Sequence, residues 1–218
     1  MATEILKINS ENPEPSLVTY AAEQIRRGQV IGMPTDTFYG LAADPYNVRA
    51  VDRVYEIKSR AYNKPLSLLI DSVEMAEELA MGLPPEFYAL AEKFWPGPLT
   101  IIVKAAPRLP LKVTANSGNV AIRVPAARIP VEIIKKSGVP ITATSANLSG
   151  ATECTTAQGV HEQLGNRVAL IVDGGTSPRT IASTIVDLTN EDIGQPFWRI
   201  QREGAIPTEQ IVDVIGGK

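Results

Sequence analysis

Apolar positions along the chain recur with two periods, and the switches between them predict strands and helices in rough alternation. Glu4 to Ile8 alternates and is β-prone, whereas SLVTYAAEQIRRGQ at 16–29 carries its apolar residues at helical spacing and meets a stop at Gly28. Val30 to Pro34 is a short apolar run, so PTDTFYGL at 34–41 falls where a strand ends in a Thr- and Gly-containing turn. Strand-end loops are where α/β proteins place their sites. Val48 to Ile57 has the spacing of a helix that presents Lys58 at its end, and an apolar strand follows at 66–70.

SVEMAEELA and PPEFYALAEKF read as two helices, the second opening on Pro and closing before the rigid loop WPGP at 95–98. LTIIVKA at 99–105 and VAIRVP at 120–125 are strand-like, and the Pro-rich stretch 106–118 between them looks too irregular for a helix, either a lid or a surface connection. Ile129 to Lys136 is a helix, PITATSANLSG at 140–150 a strand entering a hydroxyl- and amide-rich turn, and Thr156 to Leu164 a helix. Strands follow at 169–175 and 182–188, a short one within 198–206, and a last helix after Pro207. This makes about seven or eight strands, several without a helix between them, so a mixed sheet is expected rather than an all-parallel one.

Composition narrows the class. The single Cys154 excludes an internal disulfide, and the single His161 cannot supply a multi-histidine metal site. No apolar run approaches the roughly 18 residues of a membrane span, and the start shows neither a secretory nor a mitochondrial leader, so a cytoplasmic setting is expected. A net charge of −3 argues against a general nucleic-acid coat. It leaves room for a polyanionic small ligand, which a few placed cations suffice to hold.

No GxxxxGK[ST], GxGxxG, HExxH or GxSxG pattern occurs. His161 lies in a helical run away from any elbow-like turn, where it reads as a surface residue, and nothing near Cys154 marks it as reactive. What remains is a set of strand-end cations and hydroxyls: Thr35 and Thr37, Lys58 with Arg60, Arg123, Ser145 with Asn147, Ser183 and Arg202. Arg123 interrupts an apolar strand, and alternation turns it outward by default; the other reading is a buried cation awaiting an anion. For the turn at 144–149 the readings are an anion cradle or simple turn chemistry. The set suits phosphate and carboxylate, and phosphoryl or nucleotidyl transfer asks mainly for positioning and charge stabilisation.

Taken together, PTDTFYGL, KSR followed by KPLSLLI, WPGPLT, VAIRVP, ATSANLSG, and STIVD ahead of an Arg and a Gly resemble the YrdC/Sua5 family, in order, from about residue 15 to 207. The likeness is to the short form, the threonylcarbamoyl-AMP synthases lacking the C-terminal Sua5 domain, with 1–218 as a single YrdC-like domain. The resemblance implies an α/β fold, a twisted mixed parallel/antiparallel sheet flanked by helices around a large concave basic cavity. It implies a nucleotidyltransferase that makes L-threonylcarbamoyladenylate and pyrophosphate from L-threonine, bicarbonate and ATP, for the t6A modification of transfer RNA.

Carried over residue by residue, Lys58 and Arg60 match the Lys-x-Arg pair, catalytic and holding the triphosphate, and Ser145 and Asn147 match the Ser-x-Asn pair. Arg202 and Asn119 are further ATP contacts, while Thr35, Arg123 and Ser183 fall where the family binds threonine. Mg2+ bridging the phosphates is implied, with no metal ligands from the protein, and so are transfer RNA and the threonylcarbamoyl-transfer proteins as partners. The chain departs from the pattern at Ala61, Asn119 and Glu153-Cys154. The alternatives are a YciO-like RNA- or nucleotide-binding protein of the same fold, an RNA-binding module, and a carbamoyl-transfer domain of hydrogenase-maturation type.

Overall fold

A computed structural model describes residues 3–178, 180–190 and 197–216. Its strands form two mixed sheets rather than one. In the first, β1 (Glu4–Lys7) and β2 (Ile31–Met33) both run parallel to β9 (Leu170–Asp173). That sheet continues antiparallel through β3 (Gly40–Ala42) to β8 (Thr144–Ser145). In the second, β5 (Leu99–Lys104) lies between β10 (Thr184–Asp187), parallel to it, and β6 (Asn119–Arg123), antiparallel to it. β11 (Arg199–Arg202) flanks β10, and β4 (Leu68–Leu69) with β7 (Ile141–Thr142) extends the sheet beyond β6.

The helices form where the apolar stripe and the end signals agree. α1 (Pro15–Arg26) starts on a proline, which lacks only an N–H that the first turn leaves unbonded anyway, and buries Val18, Ala21, Ala22 and Ile25 at i, i+3, i+4 and i+7. That stripe packs on Ile129, Ile133 and Ile134 of α6 (Arg128–Ser137) and on Ile31 and Leu170 beneath. α2 (Val48–Lys58) is capped by Asn47, whose side chain accepts from the Ala50 N–H, and stops where Ser59 takes a left-handed φ of 51°. α3 (Val73–Leu79) is capped by Ser72 and α7 (Ala157–Leu164) by Thr156. Phe87 and Leu90 of α4 (Pro85–Phe94) join Ile211 and Ile215 of α8 (Thr208–Ile215) in the larger core, which includes Val54, Leu68 and Ile122.

Two further expectations change. Strands number eleven among the described residues, because β3 doubles back on β2 directly after PTDTFY, and β7 and β8 divide the 140–150 segment. The stretch 106–118 contains a short helix, α5 (Leu111–Thr114), whose Val113 enters the core and which ends at Ala115 with a left-handed φ of 51°. Tyr55 stitches α5 down by donating its hydroxyl to the carbonyls of Lys64 (2.9 Å) and Lys112 (3.0 Å). Among the described residues no helix is long and apolar enough to cross a membrane.

Candidate active site

The two sheets border one cavity of about 430 Å³. On β6 the alternate residues Ala121 and Arg123 share the face that lines the cavity. The outward default for Arg123 is therefore overturned: the residue is 6% exposed. Of the predicted site residues, Thr35, Arg60, Arg123, Ser145, Ser183 and Arg202 all line this cavity, together with Lys64 and a carboxylate, Glu153.

Lys58, Asn147 and Asn119 are not among the lining residues. Lys58 closes α2 at 2% exposure, and its ammonium donates to the backbone carbonyls of Ser145 and Asn147 (2.8 Å for the latter) and to Asn147 Oδ1 (3.1 Å). Those three acceptors use the three hydrogens of an ammonium. Ser145 Oγ donates to the same Oδ1 at 2.6 Å, and Asn147 Nδ2 donates to the Ala151 carbonyl at 2.6 Å. Lys58 thus stands behind the Ser-Ala-Asn turn and shapes it, while Ser145 reaches the cavity. Burial pulls the Lys58 ammonium down to about 8, with Arg60 adding to the fall and Cys154 and Glu153 opposing it.

Arg60 is anchored along one edge, Nε to the Lys64 carbonyl at 3.3 Å and Nη2 to the Pro65 carbonyl at 2.9 Å. Arg202 is held by the Ser183 carbonyl (2.8 and 3.1 Å) and by Ser183 Oγ (3.2 Å). Ser183 Oγ in turn shares a hydrogen bond of 2.9 Å with Thr100 Oγ1. On the opposite wall Thr35 Oγ1 donates to the Phe38 carbonyl at 2.7 Å and lies 3.1 Å from Thr37 Oγ1. Arg123 donates through Nη1 to Thr37 Oγ1 at 3.3 Å and through Nη2 to Asp36 Oδ1.

Asp36 and Thr100 were not singled out by the sequence. Asp36 stands between two threonines in a turn, and only its pairing with a residue 87 positions away reveals its role. Asn119 lies on the same face of β6 as Ala121 and Arg123 but at the far end of the strand, donating to Thr189 Oγ1 at 3.0 Å. Beyond it Asp187 is buried; burial raises its carboxyl, but donors from Thr189, Gln201 and Arg199 outweigh this and hold it below the usual carboxylate range. Cys154 is a buried free thiol pushed up by burial, and His161 is half-buried on α7. None of residues 106–118 lines the cavity in this structure, and Leu109 and Val113 anchor the stretch in the larger core.

A family model described as "Telomere recombination" and named for Sua5, YciO and YrdC matches residues 23–204. Threonylcarbamoyl-AMP synthase of Pyrococcus abyssi is 38% identical over 94% of the chain, and the Bacillus subtilis protein of the same name is 37% identical over 96%. The chain spans 59% of the length of each of those two relatives. The crystal structure of P. abyssi Sua5 complexed with L-threonine superposes with a TM-score of 0.92 at 37% identity, covering 98% of this chain and 61% of that one.

Proposed function

The chain belongs to the Sua5/YciO/YrdC family, and from that premise we propose that it is a threonylcarbamoyl-AMP synthase, a nucleotidyltransferase. L-threonine, bicarbonate and ATP give L-threonylcarbamoyladenylate, pyrophosphate and water. The observation that carries the reading is the convergence, in one cavity, of Arg123, Thr35 and Ser183 with Arg60, Ser145 and Arg202. Two anions of different kinds can be held there at once. The threonine carboxylate goes to Arg123, whose guanidinium still has one N–H uncommitted on each terminal nitrogen, and the triphosphate lies along Arg60 and Arg202.

On this reading a carbamate oxygen, the carbamate being formed on the threonine amine, attacks the α-phosphorus; a new O–P bond forms, the bond from that phosphorus to the α–β bridging oxygen breaks, and pyrophosphate leaves with that oxygen and the electron pair. The protein's part is to fix the two substrates in line and to face the developing phosphate charge with cations and backbone N–H groups. Lys58 contributes from behind, as a buried charge that orders the Ser145–Asn147 turn. Among the described residues no group of three or more His, Cys, Asp or Glu side chains could hold a metal ion. On this reading magnesium arrives on the triphosphate and bridges its phosphates. The proposed setting is the cytoplasm, in the route to t6A in transfer RNA, with the threonylcarbamoyl-transfer proteins taking the adenylate.

The test is pyrophosphate release from purified protein with ATP and magnesium, with and without L-threonine and bicarbonate, beside Arg202→Ala. Release that needs both small substrates and collapses in the variant is the expected result. Folded protein that releases none on adding threonine would return the chain to the nucleotide- or RNA-binding alternative of the same fold.

A further inference from the structure

Arg123 and Asp36 form a buried ion pair, their side chains 7% and 4% exposed. Arg123 ends β6 in the second sheet, and Asp36 sits in the loop between β2 and β3 of the first, so the pair ties the sheets together beside the cavity. Two charges removed from water stabilise a fold only when their remaining donors and acceptors are matched. Here they are not: Asp36 Oδ2 and Arg123 Nε are buried with no partner. Stability alone would be served as well by two apolar side chains, which directs attention to the cavity that Arg123 lines.

That cavity offers Arg60, Lys64, Arg123 and Arg202 to every anion that enters. A guanidinium accepts phosphate and carboxylate with the same fork, so chemistry at the nitrogen atoms does not sort them. What sets Arg123 apart is a carboxylate in direct contact: Glu153 also lines the cavity and its charge reaches Arg202, but Arg60, Lys64 and Arg202 make no ion pair among the described residues. We propose that Asp36 is a specificity-determining residue: it neutralises Arg123 in place, so that this arginine hydrogen-bonds one carboxylate but does not draw in a polyphosphate, which is left to Arg60 and Arg202. The inference rests on the two-substrate reading above. Selectivity of this kind works by making the wrong ligand worse. A phosphate dianion brought to Arg123 meets the Asp36 charge, whereas an amino-acid carboxylate carries one charge and brings its own ammonium to offset it.

Titration calorimetry of L-threonine into the intact protein, nucleotide absent, with and without inorganic pyrophosphate, tests this against Asp36→Asn, which keeps the Oδ1 acceptor and removes the charge. In the unaltered protein pyrophosphate is expected to change the threonine Kd by less than about twofold, and in Asp36→Asn to raise it about tenfold or more. Equal competition in both proteins, or none in either, overturns the inference while threonine binding keeps the two-substrate reading alive. Unaltered protein that binds no L-threonine overturns that reading and this inference with it. Thr37→Val removes the other partner of Arg123 without changing charge and is expected still to exclude pyrophosphate; exclusion lost there would make position, not charge, the cause. Should Asp36→Asn melt below the assay temperature, the unaltered protein and Thr37→Val decide: exclusion in both supports the inference, and loss in either overturns it.

Discussion

At the scale of single residues, Lys58 carries the sharpest energetic statement. Its ammonium titrates at about 8 in the fold against 10.5 for the ordinary group. Between those values the unfolded chain holds a proton that the native state lacks, so this residue makes stability rise with pH from about 8 to 10.5. Below pH 8 the charged amine burdens the fold by on the order of 3 kcal/mol, the free energy of that displacement. Lys58→Met should therefore narrow or reverse its stability difference from the parent between pH 10 and pH 7, in urea unfolding at both values. Activity should run the other way. As pH climbs through about 8 the charge behind Ser145 and Asn147 is lost, and pyrophosphate release should fall. A rate flat to pH 9 would mean the charge is not used. Asp36 makes the complementary point, because its importance resides in one contact and not in its own residue type or neighbours.

At the scale of elements, the site depends on how β10 and β11 are joined. Thr184 is fully buried; its hydroxyl donates to the Ile206 carbonyl at 2.6 Å and accepts the N–H groups of Gly204 (2.9 Å) and Ile206 (3.0 Å). One oxygen thus pins the segment that follows Arg202. Thr184→Val keeps the shape and orphans three backbone groups, and about 2–4 kcal/mol should be lost in chemical denaturation, with a raised KM for ATP. Gly204→Ala should be worse tolerated, since its Cβ would meet the Ala182 carbonyl oxygen at 2.3 Å. The same elements show what a sequence reader can see. Helix stripes and caps were legible because α1, α2, α6 and α7 carry both period and end signals within a few residues. The division into two sheets was not, because strands of two or three residues such as β3, β4 and β8 are too short for alternation to speak. Nor was the register shift between Ile185 and Val186, which lets the consecutive residues Gln201 and Arg202 both line the cavity although plain alternation would send one of them away. Of the six predicted site residues that converge, five sit at or next to strand ends and Arg60 follows the end of α2, but the roles of Lys58 and Asn119 depend on side-chain direction, which no motif states.

At the scale of the whole molecule, the cavity is a joint between two sheets, so a ligand that fills it should hold the native state together. Ligand at a hundred times its Kd adds about 2.7 kcal/mol to stability, and for a chain of this length that is a rise in Tm of about 5–10 °C. MgATP with L-threonine should produce such a rise in a thermal melt of the unaltered protein. Arg202→Ala and Ser145→Ala should shrink the nucleotide's share, because both parent side chains line the cavity. Asn119→Ala should leave that share intact, since Asn119 spends its amide on Thr189 at the end of β6. A nucleotide-induced rise lost in Asn119→Ala would mean that the far end of the second sheet closes on the nucleotide when it binds. The cavity would then extend along the whole strand, from Arg123 at one end of β6 to Asn119 at the other.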